Sequence, residues 1–292
     1  MNYRIVHQTI YEYSGLMGLC HNEARLKPRE LPNQQCLNTT IQIDPAPADY
    51  LERLDFFGNR VAYFSIQQPH ERLAVTATSD IAISAQQPRF EFGNVLTWET
   101  VRNRLRSDLA PEILNALQFT LDSPVVQTND ALAAYGQPSF PPGQSLVTGV
   151  RDLMHRIHAD FTYDPEFTSI ATPLSEVLLH RRGVCQDFAH LAIACLRAQG
   201  LAARYVSGYV ETVPPPGKER RIGADASHAW FSVYLPDHGW FDFDPTNDQM
   251  PMDRHIVIAW GRDFSDVTPL KGIGFGEGKH RLKVSVDVSK IE

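Results

Sequence analysis

The chain has 292 residues, 43% of them hydrophobic and 21% charged, the balance of an ordinary globular protein with enough length for one large or two ordinary domains. Lys and Arg total 27 against 34 Asp and Glu, a net charge of -7, and no dense basic run occurs, which argues against nucleic acid or an anionic membrane as the main partner. The opening M-N-Y-R-I-V-H-Q-T-I holds no apolar stretch of signal-peptide length and no run is long enough to cross a bilayer; four cysteines without an export signal then speak for a reducing cytoplasm rather than a disulfide framework.

Residues 1–90 read as strands. Tyr3, Ile5, His7, Thr9, Tyr11 and Tyr13 fall on alternate positions, the period of a half-buried strand. Residues 39–43 alternate again and stop at D-P-A-P, F-F-G-N-R is a turn into 61–66, and 73–83 is rich in β-formers. Short strands with Pro and Gly turns predict a small antiparallel sandwich. His7, His21 and His70 are scattered without metal-ligand spacing, and Cys20 and Cys36 are expected to pack.

Residues 91–145 are looser, with short helices predicted over 98–105 and 111–117. They end in G-Q-P-S-F-P-P-G-Q-S, the expected domain boundary. Leu146, Val150, Leu153, Met154 and Ile157 then recur at helical spacing, with His155 and His158 one turn apart on that helix. No acidic partner or third ligand stands near these two in sequence, so they are expected at the surface or in packing.

Thr172 and Pro173 mark a helix start, a side-chain cap followed by a proline at the first helical position, and Gly183 is expected to end it. A second helix follows at once, with Phe188, Leu191, Ala192, Cys195 and Leu196 on one face and Gly200 as its stop. Cys185 therefore falls in the first turn of a mostly buried helix. There the unpaired backbone N–H groups and the helix dipole favour a thiolate. Position alone does not separate a nucleophile from a small buried cysteine. Cys195, between Ala194 and Leu196, reads as core packing.

Strands are predicted over 203–210, 227–235 and 239–244, with P-P-P-G-K-E-R-R as an exposed, flexible loop and Pro245 as a stop. Gly272, Gly274, Gly276 and Gly278 lack the lysine and the strand-to-helix context of a phosphate loop and are expected to form a mobile loop; 282–288 is a last strand. In S-H-A-W-F-S-V-Y-L, His228, Trp230, Ser232 and Tyr234 share one face, consistent with a cleft wall. Ala229, Phe231, Val233 and Leu235 share the other, which is core. Across the P-D-H-G turn, Trp240, Asp242 and Asp244 share a face, and the end of that strand lies beside the start of the previous one. This brings Asp244 near His228, although parity alone leaves Asp242 as a rival. A carboxylate there holds one imidazole tautomer and stabilises its cation. If the Cys185 helix packs on this sheet, thiol and imidazole meet.

The order Cys, His, Asp, carried by G-V-C-Q-D-F-A-H-L, H-A-W-F-S-V-Y and G-W-F-D-F-D-P-T, closely resembles the transglutaminase-like superfamily of papain-type cysteine enzymes. R-Y-V-S-G-Y and G-R-D-F-S-D-V-T-P-L extend that resemblance, and H-Q-T-I-Y-E-Y with D-F-F-G-N-R-V looks like the N-terminal β domain of its bacterial branch. The resemblance implies an α+β fold: an N-terminal antiparallel β-sandwich domain over 1–90, a helical or irregular connector over 91–145, and a papain/transglutaminase-like catalytic domain over 146–292, its cysteine-bearing helix packed on an antiparallel sheet. It also implies Cys185 as nucleophile, His228 as general base and acid, and Asp244, within D-P-T, as the orienting carboxylate. Cys185 would attack a carboxamide or peptide carbonyl, His228 would protonate the leaving amine, and a thioester would form. The Cys185 backbone N–H is one expected oxyanion donor, with Tyr163 and Trp230 as candidates for the second or for the cleft. No cofactor or metal is expected, and nothing resembles a dedicated calcium site. Water as acceptor gives a cytoplasmic cysteine protease or amidase acting on a peptide or protein, the expected activity. A lysine amine gives a transglutaminase, and a binding scaffold without chemistry is the remaining alternative.

Overall fold

The computed structural model describes residues 1–84, 96–167, 172–211, 227–276 and 278–291. The chain opens with β1 (Asn2–Ala24), β2 (Gln34–Asp44), β3 (Asp49–Leu54), β4 (Arg60–Ile66) and β5 (His70–Ile83). The helices α1 (Trp98–Ser107), α2 (Pro111–Leu117), α3 (Asp130–Gly136) and α4 (Leu146–Asp160) come next. After them run β6 (Thr162–Tyr163), α5 (Leu174–His180), β7 (Arg182–Gly183), α6 (Cys185–Ala198), β8 (Ala203–Val210), β9 (Ser227–Leu235) and β10 (Gly239–Phe243). The chain closes with β11 (His255–Gly261), α7 (Phe264–Val267), β12 (Leu270–Gly276) and β13 (His280–Ile291). The P-P-P-G-K-E-R-R segment lies outside the described residues.

The long strand β1 is shared by two halves of one antiparallel sheet. Its first half pairs with β5 and β13, its second with β4 and β12; β2 and β3 extend the halves beyond β5 and β4. Leu73, Val75 and Ala77 of β5 share a buried cluster with Ala62, Phe64 and Ile66 of β4, so the two halves close face to face as the sequence predicts. The sandwich is not finished by residues 1–90, however. The last two strands, which the sequence groups with the catalytic unit, return to β1 and complete it. The glycine-rich run is likewise a correction: Gly272, Gly274 and Gly276 form strand β12 opposite Asn22, Cys20 and Met17 rather than a mobile loop. Glycine is a poor strand former, but here a Cβ on Gly276 would lie 2.7 Å from the Leu16 carbonyl oxygen, so a bare backbone is what lets the strands approach.

The second unit is a four-stranded antiparallel sheet in the order β10-β9-β8-β11. Helix α6 lies on it, with Phe188, Leu191, Ala192 and Leu196 in the same core as Tyr205, Phe231 and Val233. Residues from Asp187 to Arg197 are all buried, so α6 is enclosed on every side. Its ends are matched to the helix dipole. The Asp187 carboxylate accepts the Val184 N–H at 2.8 Å, and the Arg197 guanidinium donates to the carbonyls of Phe119, Ala203 and Arg262. The preceding helix α5 ends at Arg181, which adopts the left-handed conformation at φ 55°, and Pro173 stands at its cap position without a side-chain bond. Gly183 lies past that end, paired with Tyr163 in the short parallel β6–β7 ladder. Helices α1 and α2 form where predicted, and Phe140 in the connector is buried 6.1 Å from the Trp98 ring, so this stretch packs into the second unit's core.

Strand β11 is an edge, and its outer backbone groups need partners. The first unit supplies them with two buried amide side chains. Gln34 donates Nε2 to the Val257 carbonyl at 2.8 Å and accepts the Val257 N–H at 2.8 Å. Asn59 donates to the Trp260 carbonyl at 2.8 Å and accepts the Trp260 N–H at 2.9 Å. Beside them the guanidinium groups of Arg29 and Arg204 stack on the Trp260 ring at 3.5 and 3.7 Å. Among the described residues, no helix is long and apolar enough to cross a membrane.

Candidate active site

Cys185 is the first residue of α6, half-buried and unpaired. Its neighbour is His228, the second residue of β9, whose imidazole interacts electrostatically with the thiol. The other side of that imidazole is fixed: His228 Nε2 lies 2.8 Å from Asp244 Oδ2. An ionised carboxylate only accepts, so Nε2 carries a proton and Nδ1 is the nitrogen left for the thiol. Burial works against a charge on His228, but the bonds to Asp244 and Cys185 outweigh it and push its pKa up to about 10.

Asp244 is fully buried and saturated with donors. Oδ1 accepts the backbone N–H groups of Thr246 at 3.0 Å and Asn247 at 3.2 Å. Oδ2 accepts from the Asn247 side chain at 2.7 Å and from His255 Nε2 at 2.9 Å as well as from His228. Burial alone would raise its pKa; the bonds from the two histidines instead hold it well below the usual carboxylate range. The turn that supplies these donors is tied to α4. His155 Nδ1 lies 2.8 Å from Asp248, and His158 Nδ1 donates to the Thr246 carbonyl at 3.0 Å. The two histidines that the sequence leaves at the surface or in packing thus hold the turn that cups Asp244.

Asp242, the rival by parity, sits opposite Ser232 on the β9–β10 ladder and takes the Ser232 hydroxyl. Asp244 lies one residue past the end of β10, which puts it level with the start of β9. Tyr163 is 54% exposed, with its ring 6.5 Å from Phe188; burial, then the charges of Cys185 and Asp187, raise its phenol pKa. Trp230 behaves otherwise than expected. It is wholly buried, and its indole N–H has no hydrogen-bond partner. The face of β9 that it occupies is not an open cleft wall, because Val206, Val257, Leu31 and Trp260 cover it. Only His228, at the strand's start, emerges from that face.

No motif in the sequence singles out His255. It opens β11, buried, with its ring 5.1 Å from Trp230 and 6.0 Å from His228. Between β9 and β11 runs β8, whose residue opposite His228 is Gly208. A Cβ there would lie 2.1 Å from the Ile256 carbonyl and 2.5 Å from the Trp230 ring. The missing side chain is what lets Trp230 lie across β8 and the two histidines converge on one carboxylate. Donor atoms of His228, Asp244 and His255 all lie within 4.8 Å, a set that could hold a metal ion; here they are joined by hydrogen bonds through Asp244 Oδ2.

Residues 3–82 match the bacterial transglutaminase-like N-terminal region, and residues 139–245 match the transglutaminase-like superfamily. An uncharacterised protein of Mycobacterium tuberculosis (strain ATCC 25618 / H37Rv) is 46% identical over 298 residues, 99% of this chain and 93% of its own. One from Mycobacterium leprae is 32% identical over 294 residues, covering 99% and 98% of the two chains. The solved structure of a candidate cysteine protease from Cytophaga hutchinsonii superposes with a TM-score of 0.76 at 21% identity, over 100% of this chain and 92% of that one, a likeness of fold. The chain belongs to the transglutaminase-like superfamily.

Proposed function

We propose that this protein is a cysteine-nucleophile acyl-transfer enzyme that hydrolyses a peptide or carboxamide bond. The observation that carries the reading is the 2.8 Å hydrogen bond between His228 and the buried Asp244, with Cys185 at the start of α6 interacting with the same imidazole. The Cys185 thiolate attacks the carbonyl carbon, forming the S–C bond and a tetrahedral oxyanion. On collapse the C–N bond breaks, His228 gives its proton to the departing amine, and a thioester remains. His228, now neutral, takes a proton from water as water attacks the thioester; the S–C bond breaks, releasing the free acid and the thiolate. Asp244 keeps the imidazole in the tautomer that presents Nδ1 to sulfur and stabilises its cation throughout. The Cys185 N–H, among the first unpaired donors of α6, serves the oxyanion. Tyr163, exposed beside the thiol, serves as cleft wall or second donor; the burial of Trp230 removes it from that role.

The triad serves either acceptor; hydrolysis is preferred because the Cytophaga hutchinsonii protein of the same fold is described as a candidate cysteine protease. A Pseudomonas aeruginosa relative named protein-glutamine gamma-glutamyltransferase, 30% identical over 120 residues but covered for only 17% of its length, keeps transfer as the competing outcome. The acidic balance supports a polypeptide substrate rather than nucleic acid, and the unpaired cysteines support a reducing, cytoplasmic setting. The test is a glutamine- and amide-containing peptide library incubated with the protein and a labelled primary amine, read by mass spectrometry. Free acid as the main product, lost in Cys185→Ala, is expected. Near-stoichiometric amine adducts would replace hydrolysis with transfer, and no Cys185-dependent product of either kind would overturn the acyl-transfer reading.

A further inference from the structure

The geometry points to His255 as a positioning residue: the hydrogen bond from its Nε2 to Asp244 Oδ2 fixes the carboxylate that His228 leans on. This rests on the acyl-transfer reading above and extends the line from Cys185 by one member. Three features carry it. First, His228 and His255 share a single oxygen of Asp244, at 2.8 and 2.9 Å, so a rotation of the carboxylate that favours one ring loses the other. Second, His255 is itself held. It is buried, its ring meets Trp230 edge-on at 5.1 Å, and its strand is pinned further along by Gln34 at Val257 and Asn59 at Trp260. Third, the carboxylate is otherwise bound only by its own turn, through Thr246 and Asn247, among the bonds described for it. Without His255, the one donor joining Asp244 to the far edge of the sheet would be gone. The N-terminal unit thereby reaches the site: its amides hold β11, β11 presents His255, and His255 orients Asp244.

The groups facing this cluster are Asp244 and Asn247 from the turn, His228 and Trp230 from β9, and the thiol of Cys185 from α6 beyond His228. The N–H of His255 is the property that matters, and two substitutions separate it from the ring. His255→Gln keeps a terminal N–H donor at comparable reach but loses the ring. His255→Phe keeps a ring to pack against Trp230 but loses the donor. The readout is the rate of Cys185 alkylation by iodoacetamide across pH, with matched thermal melts.

His255→Phe is expected to slow Cys185 alkylation at mildly acidic pH by about tenfold or more, the worth of roughly one hydrogen bond to a charged acceptor, and to move its acid limb upward in pH. His255→Gln is expected to stay within about threefold of the unsubstituted protein by the same measure. The reverse order, with Gln slow and Phe normal, would make His255 a packing residue and overturn the proposal, as would two folded variants with unchanged pH profiles. If Cys185 of the unsubstituted protein shows no enhanced reactivity, the acyl-transfer reading itself fails, which is a different result. Zn2+ added to the Cys185→Ala protein supplies a further arm. Tight binding that His255→Phe abolishes would make these side chains metal ligands and overturn the positioning role; no such binding is expected.

Discussion

Cys185 and Cys195 stand on the same helix and differ in almost everything that decides thiol chemistry. Cys195 lies in the enclosed middle of α6, wholly buried, and burial pushes its pKa up to about 12. Gly136 of α3 packs so close that a Cβ on it would lie 2.9 Å from the Cys195 Cβ. Cys185 lies at the helix start, half-buried, within electrostatic reach of His228 and Tyr163. One element therefore carries a thiol sealed in the core and one that the proposed mechanism uses. The difference comes from where the helix ends and what the sheet brings to that end, not from the residue type or its local sequence.

The strongest way to break that contrast is to remove the charge behind His228. Asp244→Asn keeps the side-chain shape but loses the negative charge, and should lower turnover by about 100-fold or more, the scale of a general acid–base contribution. Asp242→Asn should change turnover only slightly, since that carboxylate serves Ser232. The same pair carries a pH signature in stability. His228 is raised above its ordinary 6.5, so its bond stabilises the fold fully below that value and the gain is lost as pH rises toward about 10. Asp244 is depressed below its ordinary 3.8, so its share is present above that value and is lost as pH falls through the folded-state pKa. The melting-temperature gap between the unsubstituted protein and Asp244→Asn should thus be widest between pH 3.8 and 6.5 and narrow on both sides. A gap that widens toward pH 10 would contradict the assignment.

A subtler change sharpens the contrast from the sheet. Gly208→Ala places a methyl group against the Ile256 carbonyl and the Trp230 ring. It should cost about 1–3 kcal/mol in stability, as overpacking does, and should slow Cys185 alkylation while leaving Cys195 unreactive. Thermal melts and peptide mapping check both halves. An unchanged Cys185 rate in a folded Gly208→Ala protein would show that the convergence of His228, Trp230 and His255 does not depend on a bare backbone at that position.

Much of this site was legible in the sequence because its parts are local. Cys185 follows a turn and opens a helix pattern, and a hairpin places the end of β10 beside the start of β9, so a carboxylate near His228 follows from strand position; parity leaves Asp242 as a rival, and Asp244 is singled out only by the resemblance of D-P-T to the family motif. His255 was not legible for a topological reason. Its approach to Asp244 depends on β11 lying next to β8, and on Gly208 leaving room between the strands, neither of which a period of two can report. Trp230 illustrates the same limit from the other side. Alternation says which residues share a face, but whether that face meets water depends on Leu31 and Trp260, both distant in sequence. The C-terminal glycines were misread because glycine disfavours strands unless a neighbour needs the space. The Leu16 backbone is that neighbour at Gly276.

The central claim is that Cys185 and His228 act as a pair backed by Asp244, and competitive alkylation tests it most directly. The folded protein is treated with limiting iodoacetamide at a series of pH values, then unfolded, labelled with an isotopically distinct reagent and mapped at Cys20, Cys36, Cys185 and Cys195. Labelling of Cys185 ahead of the other three cysteines at mildly acidic pH, slowed in Asp244→Asn, is the expected result. Labelling of Cys185 no faster than that of the partly exposed Cys36, or unchanged in Asp244→Asn, would contradict it.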